Sequence, residues 1–142
     1  MSNANPAASS SPTQAAPTSK GWMLWVGRIL SGIVIAMLGM SAVMKLSQSP
    51  DALKGIETFG YPSGVLLPIG IVELLCLLVY AVPRTSVLGA ILVTGYLGGA
   101  TATHVRMPEP FILPVVLGVL AWAGLFLRDA RLRALLPLRR PE

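Results

Sequence analysis

Charge is scarce in this chain. Of its 142 residues 12% are Asp, Glu, Lys or Arg, while 54% are hydrophobic. Soluble domains carry roughly 25% charged residues, so an ordinary polar shell cannot be assembled from this sequence. That excludes a conventional cytosolic domain. Cysteine is nearly absent: Cys76 stands alone, which excludes an internal disulfide, a CxxC redox pair and a cysteine-built zinc or iron–sulfur centre. His104 is the one histidine, so a haem cannot be held between two histidines of one chain. No GxGxxG pattern follows a strand, so no phosphate-cradling loop is expected. The net charge of +5 would suggest nucleic acid in a soluble protein. Here the basic residues flank apolar runs, and the expected partner is the lipid bilayer, not nucleic acid.

Residues 1–20 form a Ser/Ala/Pro-rich leader, uncharged up to Lys20. Such a segment buries too little apolar surface to offset its ordering entropy, so it is expected to be disordered. It lacks the positive n-region and A-x-A site of a signal peptide. Four apolar runs follow, Trp22 to Met44, Val65 to Val82, Val87 to Thr103 and Phe111 to Leu127. The second would span about 27 Å as a helix, close to the hydrocarbon thickness of a bilayer. Backbone polar groups in lipid need internal partners, which makes helices of all four. The expected fold is all-α, an integral membrane four-helix bundle over residues 21–137 with a cytoplasmic tail at 138–142.

Four spans put the N-terminus, the Pro83–Ser86 turn and the C-terminus on one side. That side holds Lys20, Arg28, Arg84, Arg128, Arg131, Arg133, Arg139 and Arg140, against Lys45, Lys54 and Arg106 on the other. The positive-inside rule therefore sets both termini in the cytoplasm. In the first external loop Ser49 can cap, Pro50 suits the first helical position and Asp51 favours the positive helix end. Leu53, Ile56 and Phe59 then share one face. A short amphipathic helix on the outer membrane surface is expected, either sealing the bundle or gating a substrate.

Ionisable groups inside a bilayer are costly, which singles out Glu73 at the centre of the second run. A carboxylate there must be protonated, paired or in contact with a water-filled cavity. Counting along antiparallel helices sets Tyr96 level with Glu73, as the best candidate for a direct hydrogen bond. The same count sets His104, Arg106 and Lys45 about 10 Å further out; Lys45 has the stem to cover part of that distance. These groups could line a polar funnel, a proton or ligand site, or simply hold the helices in register. Gly95 with Gly99, and Gly98 with Ala102, make small-xxx-small pairs that predict close helix packing, with the third run at the bundle centre. Cys76 reads as a buried, inert packing residue. The indole of Trp122 needs a partner and should face the bundle.

Lys45-Leu46, Gly60-Tyr61-Pro62, Gly70-Ile71-Val72-Glu73, Tyr80 through Thr85, Gly89 through Arg106 and Trp122 through Arg133 resemble the DoxX-like family of small four-helix bacterial membrane proteins. The resemblance covers about Trp22 to Pro137. The wider DoxX group takes its name from subunits of a thiosulfate:quinone oxidoreductase. The resemblance therefore implies a bacterial inner-membrane location and a quinone-linked redox role, with quinone as ligand and a redox protein as partner; a homodimer is the other partner expected, since four helices alone leave little room for transport. Lys45, Glu73, His104 and Arg106 fall at recurrent polar positions of that family. Thiosulfate chemistry has no counterpart in these residues. Two other readings stay open, an accessory scaffold without chemistry and a small-solute or proton-coupled transporter.

Overall fold

A computed structural model describes residues 21–107 and 109–135; the expected disordered leader at 1–20 and the tail at 138–142 lie outside the described residues. Six helices account for nearly all of what is described: α1 (Gly21–Leu46), α2 (Pro50–Thr58), α3 (Leu66–Ala81), α4 (Ser86–Arg106), α5 (Ile112–Arg128) and α6 (Ala130–Leu135). A 3₁₀ turn, Ser63–Val65, leads into α3. No strand occurs among the described residues.

Three segments are long and apolar enough to cross a membrane, Gly21–Leu46, Ser63–Ala81 and Ser86–Arg106. The fourth apolar helix, Ile112–Arg128, has 17 residues, at the lower edge of a spanning length. α1 packs on α3 and α5, and α4 packs on the same two helices, so α1 and α4 occupy opposite corners of a four-membered ring. Val34, Leu38, Leu77, Val93, Leu97, Leu117 and Leu125 fill the middle. The outer faces are apolar too: Ile29, Val72, Leu75, Ile91, Ile112 and Val119 are all exposed. Such a surface is soluble only in lipid. The chain is a membrane protein with transmembrane helices.

Glycine decides where the helices touch, though not at the glycines the sequence pattern favoured. A Cβ on Gly27 of α1 would lie 2.7 Å from the Gly124 carbonyl oxygen of α5, and one on Gly89 of α4 would overlap the Tyr80 backbone of α3. Only glycine permits either crossing. By contrast a Cβ on Gly95, Gly98 or Gly99 would meet nothing within 4 Å, and Ala102 is exposed. The expected small-residue seam is therefore not a contact among the described residues, and α4 is a corner of the bundle and not its centre. Spacing identified a face of small residues; it carried no information on which helix, if any, faces it.

At the end where α3 turns into α4, the Tyr80 hydroxyl donates to the Ala121 carbonyl at 2.9 Å and lies 3.1 Å from Ser31 Oγ. One tyrosine thereby ties α3 to α5 and α1. The Trp122 indole donates to Thr94 Oγ1 at 2.7 Å across α5 and α4. Cys76 is buried in the core. At the other end Ser49 accepts from the Ala52 N–H at 3.3 Å and Pro50 opens α2, the capping chemistry its sequence carries. Ile56 of α2 is buried, Leu53 and Phe59 are half-buried, and Lys54 and Glu57 are exposed.

Candidate functional site

Glu73 sits in α3 with 2% of its surface exposed. Its Oε2 accepts from Lys45 Nζ at 2.9 Å and from Ser41 Oγ at 3.4 Å. The Lys45 ammonium donates to Ser41 Oγ as well. Ser41 and Lys45 lie four residues apart and so share a face of α1. Gly70, one turn before Glu73, opens the way: a Cβ there would come within 2.8 Å of Lys45 Cβ. Lys45 thus enters level with Gly70, about 4.5 Å above Glu73, and its four-carbon stem covers the rest. Counting depth from helix ends had set it about 10 Å away, because that count takes each helix to start at the same level.

A cavity of about 610 Å³ adjoins this pair. Lys45, Glu73, Tyr96 and His104 all lie on its wall, among apolar neighbours such as Leu38 and Leu117. Gly95 and Gly99 line it too, so the small-residue face of α4 leaves volume where side chains would otherwise stand. Ile56, Phe59 and Tyr61 form the roof. Tyr61 Oη lies 3.3 Å from Thr103 Oγ1 and fastens the segment after α2 to α4.

Four kinds of hydrogen-bonding group converge here. Glu73 Oε1 accepts no hydrogen bond among the described residues, since both bonds to this carboxylate end on Oε2. The Tyr96 hydroxyl lies close enough to the Glu73 carboxylate to interact with it, while the shorter hydrogen bonds to that group come from Lys45 and Ser41. His104 Nδ1 lies 2.7 Å from the Ala100 carbonyl, which can only accept. Nδ1 therefore carries a proton, and in the neutral form of the ring Nε2 is an acceptor. The Phe59 ring packs against it at 4.8 Å between centroids, tilted by 53°. No group of three His, Cys, Asp or Glu side chains is assembled among the described residues.

A family model described as the DoxX-like family matches residues 29–124. The chain belongs to the DoxX-like family. No curated protein and no solved structure matches it. The span shared with other DoxX-like chains contains Ser41, Lys45, Glu73, Tyr96 and His104, and with them the whole wall of the cavity.

One sequence candidate of this DoxX-like protein is not brought to the site. Arg106 is exposed and lines no part of the cavity. It follows His104 by two residues, and side chains two apart on a helix do not share a face. Ser41 and Phe59 were missed as site residues. Ser41 could have been found, because it stands one helical turn from Lys45; Phe59 could not, since only the fold of α2 over α4 sets it against His104.

Proposed function

We propose that this DoxX-like chain is a multi-pass protein of the bacterial cytoplasmic membrane and serves there as a quinone-linked, redox-associated subunit. It crosses the bilayer four times, with both termini in the cytoplasm. α2 lies at the outer surface and covers the bundle. The eight-to-three division of Lys and Arg supports the orientation, and α5, about 26 Å long, is apolar enough to make the fourth span with slight local thinning of the bilayer.

One observation carries the reading of the site: a part-buried ion pair, Lys45–Glu73, on the wall of a half-open, mostly apolar cavity of about 610 Å³. Ionisable groups at membrane depth are by default functional, and small-molecule sites combine apolar walls with a few convergent polar groups. A quinone ring suits such walls. Its carbonyls accept from the Lys45 ammonium or the Tyr96 hydroxyl, and a hydroquinone hydroxyl donates to His104 Nε2 or Glu73 Oε1. The electron-exchanging partner is a redox protein or a second copy of the chain.

Mass spectrometry of the purified protein in native-lipid nanodiscs tests this. A stoichiometric quinone, lost or weakened at least tenfold in Glu73→Gln, is the expected result. A second reading, an accessory scaffold, draws on the same ion pair, which joins α1 to α3 whether or not a ligand is present. Under it Glu73→Gln lowers thermal stability and no bound quinone is found in the wild-type protein.

A further inference from the structure

At the end of the bundle opposite Lys45, two arginines from different helices meet over one small cavity. Arg28 of α1 and Arg128 of α5 line a space of about 210 Å³ together with Pro83, Ser86 and Asp129. Arg128 is held there by the glycine crossing, since Gly27 of α1 lies against its backbone. Two of its guanidinium nitrogens, Nε and Nη2, are buried with no hydrogen-bond partner among the described residues. Its Cζ stands 5.4 Å from the centre of the Tyr80 ring, a contact that eases burial of the charge without supplying an acceptor for those nitrogens.

Buried guanidinium nitrogens without an acceptor or counter-charge are unfavourable, and among the described residues none is provided. Lys45–Glu73 is the ion pair among the described residues. Asp129, though it lines the cavity, makes no such bridge; its Oδ1 accepts from the backbone N–H groups of Arg131 and Leu132. Two cations and one carboxylate leave a net single positive charge. Ser86 opens α4, whose first turn receives no side-chain cap, so a positive helix end borders the same space.

We propose that this cavity binds a phosphate group between Arg28 and Arg128. The planar guanidinium fork matches phosphate oxygens, and a phosphodiester carries the single negative charge that completes the balance. Two sources present that chemistry, a phospholipid headgroup and free inorganic phosphate. Trp22 and Trp25 are exposed at this end, and Arg28 stands over the Trp25 ring at 5.9 Å; tryptophans of this kind sit at headgroup depth. Basic pockets between membrane helices hold headgroups in the same way.

The full-length protein, released from nanodiscs of phosphatidylglycerol mixed with monogalactosyldiacylglycerol, is examined by native mass spectrometry. In parallel, its thermal midpoint is followed in lipid-free detergent as inorganic phosphate is added. Retention of phosphatidylglycerol at least tenfold over the phosphate-free galactolipid, reduced at least fivefold in Arg28→Gln and Arg128→Gln but not in the exposed control Arg84→Gln, assigns the site to a headgroup. A midpoint raised by phosphate without lipid selectivity, and not raised in Arg28→Gln, assigns it to a soluble anion. Equal retention of both lipids with no response to phosphate overturns the proposal. Arg28 is exposed, so its variant tests the site even where Arg128→Gln does not fold.

Discussion

Lys45 reaches Glu73 past the missing side chain of Gly70, and the two ends of that ion pair differ sharply in access to solvent. The lysine side chain is 21% exposed and the glutamate 1%. Lys45 stands near the end of α1 and can turn outward when its partner is lost; Glu73 cannot.

Replacing Lys45 by Met is therefore expected to destabilise more than replacing Glu73 by Gln. Breaking a buried pair from one side costs about 3–5 kcal/mol, and Lys45→Met should lie in that range while Glu73→Gln falls below it. The double variant should recover much of the loss. Denaturant unfolding in detergent gives all three values, and equal single losses that add in the double variant would contradict a coupled pair.

Glycines of this chain should separate into two classes on substitution by Ala. Gly89→Ala places a methyl against the Tyr80 backbone, which has no rotamer to yield, and should lower the thermal midpoint by well over 5 °C or prevent folding. Gly98→Ala meets open space and gains up to about 1 kcal/mol of helix propensity. Matched thermal melts of the two variants check this, and comparable losses would mean that Gly98 is covered in the assembled protein.

Removing the Tyr80 hydroxyl isolates one knot of the bundle. Tyr80→Phe leaves the Ala121 carbonyl and Ser31 Oγ without their shared partner, a loss of about 1–3 kcal/mol for buried groups. The Glu73 cavity is far from this point, so ligand retention by the folded variant should match the wild type. Stability and ligand mass, measured on the same sample, decide it.

The roof should loosen when its fastening is cut. Tyr61→Phe removes the contact with Thr103 Oγ1, worth about 0.5–1.5 kcal/mol. Hydrogen exchange in α2 should then rise by up to about tenfold. Exchange in α3, whose backbone bonds are internal, should stay the same.

Helix ends and caps were readable from the sequence because their determinants are local. Ser49-Pro50-Asp51 announces α2, and Pro83-Arg84-Thr85 leaves too little chain for anything but an antiparallel turn between α3 and α4. The cavity was readable as a set of polar positions, Lys45, Glu73, Tyr96 and His104, but not as a set of bonds. Which donor meets Glu73 depends on the axial offset of α1 against α3, and that offset is fixed by Gly70 meeting Lys45. Likewise the bare face at Gly95 and Gly99 looked like a packing seam; whether small residues admit a helix or leave a void is a property of the neighbours.

Contacts made possible by glycine at Gly27, Gly89 and Gly124 all fall at the end of the bundle that carries Arg128, whereas the cavity beside Glu73 lies toward the end that carries Lys45, where Gly70 admits that side chain. The molecule is built like a pair of tweezers, with a heel of backbone crossings and tips held by side-chain bonds, Lys45–Glu73 and Tyr61–Thr103. Side chains yield by changing rotamer and closely packed backbone does not, so any change in spread falls to the tips. The closeness of the heel, which lies apart from the Glu73 cavity, therefore limits how far that cavity can widen.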